Sequence, residues 1–525
     1  MFSSLFLAAA VVAQQPGYCT SLANHIARWL RQEGVSATVA APGSMAAALR
    51  NERVAFLVGF EKTSAAEISE LKSFRSRGGK LVVFHSSSPA LADLMGVKPL
   101  GFRAAAYPGE WSRMDFDVRG FEGMPSSIRQ TSTVLNRAVP VKGRSRVLAT
   151  WSDRAGKSTG EPAWIVSGAG FWMTHVLLAD GDEDLKARLC ASLVASVEPK
   201  SWSYAAHRAK AADEFNRLTA LAKAQKRQNG ELHAVWDHSG CGLYPGDWPR
   251  TMRILQAAHV TDLFVNVAGA GFAHYPSAVL PRSKTLGDEG DQLAAAVAAA
   301  KGTGIRVHAW ILCFSATRAP SGVLNDYAKR GWRVKDGKGK LTEYVSPAIP
   351  GVRTMVLAAI DEIQARYPVA GIHLDFVRWG EGTVRPAGAV QSVSQFVAEA
   401  RRHVKRPRWL TAAVYGKYPH CVSSVGQDWV AWLDMGLVDY VVPMDYTESP
   451  AKLTELLALQ ASSRYRARKT IVGIGVTANE SRLGAKEVIE QLNLVRRYGF
   501  AGASLFDLDT TLEKNVLPYL KLGIW

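Results

Sequence analysis

Cysteine is scarce in this sequence, and no two cysteines are neighbours: Cys19, Cys190, Cys241, Cys313 and Cys421 are the five among 525 residues. That spacing excludes a zinc knuckle and a CxxC redox site. It reads the five as mostly buried small hydrophobes, with at least one free thiol because the count is odd. HxH, HExxH and clustered His/Asp patterns are missing, so a tight metal site is not expected. No Walker loop occurs and no GxGxxG follows a strand-like run, so no cofactor is expected. Runs of Lys and Arg interleaved with aromatics are also missing, which argues against nucleic acid. Beyond the first thirteen residues no stretch is long and apolar enough to span a membrane.

What the chain does have is an ordinary globular composition, 47% hydrophobic and 21% charged, in a length that calls for more than one core. Sixty-three basic against forty-six acidic side chains give a net charge of +17. That surplus favours anionic surroundings such as cell-wall polymers or acidic glycans, and it equally serves solubility. Leu5 to Ala13 is apolar and small, and Val11-Val12-Ala13 suits signal-peptide cleavage, although the segment has no Lys or Arg of its own. Residues 1–13 therefore read as a leader, and the protein as exported to a periplasmic or extracellular space.

From Tyr18 the pattern runs helix (Leu22 to Gln32), strand (Ala37 to Ala40), strand (Val54 to Phe60), helix (Ala65 to Arg77), Gly78-Gly79 and strand (Lys80 to Phe84). Strands alternating with amphipathic helices imply a parallel sheet covered on both faces. Glu70-Leu71-Lys72-Ser73-Phe74 through Gly79-Lys80-Leu81-Val82-Val83-Phe84 resembles the class I glutamine-amidotransferase-like, flavodoxin-type domain, over about residues 17–200. An amidotransferase needs a Cys nucleophile on a tight Gly-flanked elbow after a strand. Here that strand leads into His85-Ser86-Ser87-Ser88-Pro89, so the resemblance implies a non-catalytic domain, with assembly into a homo-oligomer one of its open roles.

Residues 201–230 form a connector, rich in Ala, Lys and Arg without Pro or Gly over 203–228 and suited to a helix, and Gly230 ends it. Eight strand-like runs follow: Leu232 to Trp236, Asp262 to Val267, Arg306 to Leu312, Gly371 to Phe376, Leu410 to Tyr415, Asp439 to Asp445, Ile471 to Val476 and Gly502 to Phe506. Helical apolar spacing lies between them, which makes residues 231–525 a (β/α)8 TIM barrel and the whole chain α/β.

In such barrels chemistry gathers where the strands exit. The first exit offers Trp236, Asp237 and His238, the second Asn266, and the third Trp310. The fourth offers His373, Asp375, Arg378 and Trp379, the fifth Tyr415, the sixth Asp445 and Tyr446, and the eighth Asp507. Carboxylates, indoles and phenols on one rim suit a sugar, because aromatic faces stack on pyranose CH surfaces while acids handle hydroxyls and the glycosidic oxygen. Asp375 is the foremost candidate for general acid/base, with Asp445 and Asp237 as the competing second acids. Trp236, His238, Asn266, Trp310, His373, Arg378, Trp379, Tyr415, Tyr446 and Asp507 are the candidates for substrate binding.

Ser346-Pro347, Pro350, Val352-Arg353 and Gly371-Ile372-His373-Leu374-Asp375-Phe376-Val377-Arg378 resemble the glycosyl-hydrolase-like 10 family, in which a helix leads into a strand ending H-x-D-x-x-R. Val442-Pro443-Met444-Asp445-Tyr446-Thr447 and Val307-His308-Ala309-Trp310 are similar to that family's sixth and third strands, and the likeness spans about residues 231–510. It implies a barrel hydrolase acting on a polysaccharide, with Asp375 as the strand-four acid. The chain departs from the family in having Ala370 where Asp often precedes the glycine, and it lacks both an amylase-type strand-five Glu and the chitinase DxxDxDxE run. The expectation is an exported glycoside hydrolase using two carboxylates. Its alternative is a glycan- or cell-wall-binding protein on the same scaffold.

Overall fold

The computed structural model describes residues 9–107, 109–179, 182–462 and 464–525. The chain divides into two units at Phe215/Asn216, inside the helix Tyr204–Lys223.

The first unit is built on parallel strands β1 (Ala9–Ala13), β2 (Ala37–Ala40), β3 (Val54–Val58) and β4 (Lys80–Phe84), in the order β2-β1-β3-β4. Gly170–Met173 adds parallel to β4, giving the 2-1-3-4-5 order of flavodoxin-like sheets. Antiparallel strands between Trp111 and Ser167 extend it. Successive side chains go to opposite faces, and both faces are packed: Val11, Phe56 and Val82 on one, Ala10, Leu57 and Val83 on the other. The helix Ala65–Ser76 starts with a capping box between Ser64 and Glu67. It stops where Gly78 takes φ +86° and the Gly79 N–H reaches the Phe74 carbonyl.

Residues 9–13 correct the leader reading. They form the strand between β2 and β3, hydrogen-bonded to both and 0–2% exposed. Cleavage after Ala13 would leave both neighbours unpaired, so the apolar run is explained as core strand. The rest of the expected leader, residues 1–8, lies outside the described residues. All five cysteines are free thiols, four of them buried and Cys19 half-buried.

The second unit holds eight parallel strands: Leu232–Asp237, Asp262–Gly269, Arg306–Leu312, Gly371–Asp375, Trp409–Val414, Tyr440–Pro443, Ile471–Gly475 and Gly502–Phe506. Each pairs with the next in sequence, and the eighth pairs with the first and the seventh. Bridges Val441 to Thr470 and Met444 to Gly473 join the sixth to the seventh, so the barrel closes. The expected (β/α)8 barrel is thus observed, with strand ends within a few residues of those expected. Gly371 is needed where it stands, since a Cβ there would lie 2.4 Å from the Trp409 carbonyl oxygen and 2.7 Å from His308 Nδ1.

Inward residues form one core, including Ala234, Trp236, Phe264, Trp310, Val442 and Ile471. Outward residues such as Val235, Leu263, Ile372, Val441 and Val472 pack under the helices. At the base, buried Asp262 accepts from Arg306 at 2.7 and 2.9 Å and from His308 Nε2 at 2.8 Å, which ties the second strand to the third. These bonds hold the Asp262 carboxyl down at about 2 against the cost of its burial.

A chain that starts at Gln14 is expected to lose cooperative unfolding of the first unit. Removing Val11 and Val12 alone forfeits about 3–6 kcal/mol of side-chain burial, a large share of ordinary domain stability. Urea titration of the full and shortened chains checks this, and equal midpoints would refute the assignment of Ala9–Ala13 as a core strand.

Candidate active site at the barrel mouth

Alternation along each strand decides which exit residues face the interior. Asp375 follows His373 by two and shares its inward face. Its carboxylate accepts from the Phe376 N–H, from Trp310 Nε1 at 3.1 Å and from Arg378 at 3.3 Å. All three partners are donors, so both carboxylate oxygens act as acceptors. Asp375 is 5% exposed, lying behind Arg378 and Phe376. Phe376 sits at φ +47°, a conformation rare for a bulky residue, directly after the acid.

A cavity of about 380 Å³ lies against Phe376 and Arg378, both of which contact Asp375. Arg378 lines it, stacked between the rings of Phe376 at 4.0 Å and Tyr415 at 4.7 Å. Tyr344 and Tyr446 add two more aromatic walls, and Glu381, Asn479 and Glu480 form its polar rim. Gly380 lets the Tyr344 ring lie flat on the loop, since a Cβ there would be 2.2 Å from that ring.

Trp310 links Asp375 to a second group of residues. Its ring lies 5.8 Å from that of His238, which is as close to Phe506, and Phe506 stacks on Tyr446 at 5.4 Å. The His238 backbone N–H donates to Asp507 Oδ1 at 3.1 Å, and Arg318 donates to His238 Nε2 at 2.9 Å. Loss of water contact and the Arg318 cation hold His238 down at about 4, so the imidazole is neutral near neutrality. Asp507 is pushed up to about 7, chiefly by desolvation and further by the charges of Asp237 and Asp509. Tyr446 is raised well above the usual phenol range by burial, then by the charges of Asp375, Asp507 and Glu480.

The structure therefore brings together His238, Trp310, Asp375, Arg378, Tyr415, Tyr446 and Asp507 and sets the other expected residues apart. Asp237 and Asp445 share a parity with the outward residues Val235 and Val441. Asp237 is fully buried and caps its own loop, accepting from Ser239 Oγ at 2.6 Å, Gly240 N at 3.1 Å and Gly242 N at 2.8 Å. Asp445 accepts from Gln460 Nε2 at 2.9 Å on both oxygens and lies against Gly416, where a Cβ would be 1.7 Å from Oδ1.

Trp236 and His373 belong to the barrel floor. The Trp236 indole donates to His373 Nε2 at 2.9 Å, which leaves Nδ1 to donate to Thr411 Oγ1 at 2.8 Å. Full burial then holds His373 neutral. Asn266 is also fully buried, reaching the His238 carbonyl at 3.3 Å. Trp379 is outer core, with its indole on the Ala389 carbonyl. The walls Tyr344 and Phe376 and the rim residues Glu381 and Glu480 were not expected from strand exits alone, because Tyr344 lies on the hairpin strand Leu341–Val345, the two Glu on loops and Phe376 at a strained turn.

The family Glycosyl hydrolase-like 10 matches residues 249–382, which include Trp310, Asp375, Arg378 and Glu381. No curated protein matches the chain. Among solved structures, the glycoside hydrolase domain of PgaB (BpsB) from Bordetella bronchiseptica aligns at 12% identity and TM-score 0.44, covering 56% of this chain and 99% of that one. A class V chitinase from Pseudomonas fluorescens aligns at 13% identity and TM-score 0.38, covering 56% of this chain and 99% of that one. A ThuA-like protein from Bacteroides uniformis aligns at 13% identity and TM-score 0.30, covering 38% of this chain and 94% of that one.

Burial raises the Asp445 carboxyl to about 7, so the folded state favours its protonated form. That contribution is fully present below the unfolded value of roughly 3.9 and is lost as pH rises through about 7. Asp445→Asn keeps an acceptor for Gln460 and removes the titration. Its melting temperature is expected to match wild type near pH 4 and to exceed it at pH 8, by roughly 2–4 °C per kcal/mol regained. A wild-type advantage that grows with pH would contradict this placement.

Proposed function

We propose that this protein is a glycosidase that cleaves a polysaccharide at the barrel mouth, with Asp375 and Asp507 as its two carboxylates. The observation that carries the reading is the contrast between them. Asp375 is held as an acceptor by three donors, whereas Asp507 is desolvated and raised to about 7. An acid raised toward neutrality and a second carboxylate fixed as an acceptor at the same mouth make a natural acid/base pair.

In this scheme Asp507 gives its proton to the glycosidic oxygen as the bond to the anomeric carbon breaks. Asp375 meets the positive charge that develops on the sugar, either by bonding to the anomeric carbon or by taking a proton from the attacking water. Tyr415, Tyr446 and Phe376 supply stacking faces for the ring. The match of residues 249–382 to a glycosyl-hydrolase-like family supports the reaction class. The same reading holds the first unit to be an amidotransferase-like domain without its nucleophile, since the turn after β4 begins at His85 rather than Cys.

One observation favours a second reading, a glycan-binding protein: Asp375 is only 5% exposed and stands behind Arg378. A screen of wild type and Asp375→Asn against bacterial and plant polysaccharides, reading reducing ends and oligosaccharide masses, separates the two. The glycosidase reading expects release by wild type and a loss of at least about 10²-fold in the variant. Binding without release by either protein would move the assignment to the second reading.

The pH profile gives a further check. An acid that must be protonated fails as pH rises, so kcat/KM is expected to fall through about pH 7. Activity that climbs steadily above pH 8 would remove Asp507 from the acid role.

A further inference from the structure

We propose that the substrate presents protonated amines to this cavity, which makes it a glycan of amino sugars with free rather than acylated nitrogens. The inference rests on the glycosidase site described above and concerns what that site selects.

The protein as a whole carries +17, which by itself points to an anionic ligand, but the cavity has the opposite sign. Arg378 is its one basic lining residue, and Asp375 directly behind it at 3.3 Å offsets that charge. Glu381 and Glu480 remain, both lining the cavity, both exposed, and neither within ion-pair distance of a cation among the described residues. In a chain with seventeen more cations than anions, two acids left unpaired at one mouth are a local choice of sign.

The walls agree with the rim. Tyr344 and Phe376 stack at 6.1 Å, Tyr415 lies under Arg378, and Tyr446 faces Glu480 closely enough for its phenol to feel that carboxylate. Aromatic faces present negative π density; Phe376 and Tyr415 spend theirs on Arg378, and the remaining rings Tyr344 and Tyr446 with the two carboxylates favour an ammonium group over a carboxylate or sulfate. Those same faces stack on the CH surface of the sugar that carries the amine. An acetylated nitrogen offers no charge to Glu381 or Glu480 and gains only the stacking. An anionic sugar would meet two like charges.

The test uses the full chain and three probes: glucosamine oligomers, N-acetylglucosamine oligomers of equal length, and galacturonate oligomers. Binding is measured by calorimetry at low and high salt on Asp507→Asn, which leaves the Asp375–Arg378 pair in place, and cleavage on wild type. The expected order is glucosamine first, then its acetylated counterpart, then galacturonate, with the glucosamine preference shrinking as salt rises. Glu381→Gln and Glu480→Gln are each expected to weaken glucosamine binding about threefold to fivefold, and together about tenfold, while leaving the acetylated oligomer within about twofold.

Cleavage of acetylated and free-amine oligomers at equal rates, with equal binding, would overturn the amine inference and leave the glycosidase standing. Glu-dependent binding of glucosamine oligomers without cleavage would do the reverse. Preference for galacturonate, or no binding of any probe, would overturn the inference outright.

Discussion

A barrel strand offers its side chains alternately to the interior and to the helices, and that alternation governs everything at the mouth of this protein. Trp236 points inward and so the next residue, Asp237, points out. Val442 and Tyr446 point inward and so Asp445 between them points out. Two carboxylates are thereby committed to the scaffold, one to a loop cap and the other to Gln460. Asp375 falls on the inward parity, and the remaining acids at the mouth come from positions where strands have already ended.

Those surroundings are built from the floor upward. The Trp236 to His373 to Thr411 relay crosses the interior from the first strand to the fourth and fifth and leaves no imidazole nitrogen free. Such a relay matters because an unmet indole N–H in a dry core costs about 1–3 kcal/mol. Phe264 stacks on His373 at 4.2 Å, and Trp310 packs edge-on against the same imidazole. The floor therefore fixes Trp310, and Trp310 fixes one oxygen of Asp375. Arg378 and the Phe376 N–H fix the other. The result is a carboxylate held by three donors, at a mouth where desolvation pushes Asp507 up to about 7.

Most of the fold was legible in the sequence, since buried parallel strands write themselves as short apolar runs between helical stretches. Residues 9–13 were misread for the same reason that the barrel was read well: a core strand of Ala and Val has the composition of a leader, and only its pairing with β2 and β3 tells them apart. Within the site, Asp375, Arg378, Trp310, Tyr415 and Tyr446 could be found from strand exits. Asp237 and Asp445 were ranked by proximity to an exit, which carries no sign of the Ser239, Gly240, Gly242 and Gln460 donors that hold them. Glu381 and Glu480 left no such trace, because a loop has no period to betray which way its side chains face, and Tyr344 lies on a hairpin strand, Leu341–Val345, outside the eight barrel strands.

The central claim is that Asp507, rather than the equally desolvated Asp445, works with Asp375. It is tested most directly by measuring kcat/KM for Asp507→Asn and Asp445→Asn on one cleaved glycan across pH 4–9. The account predicts that Asp507→Asn loses at least about 10²-fold together with the limb near pH 7, while Asp445→Asn stays within about tenfold of wild type and keeps that limb. Loss of activity in Asp445→Asn with Asp507→Asn near wild type would contradict it.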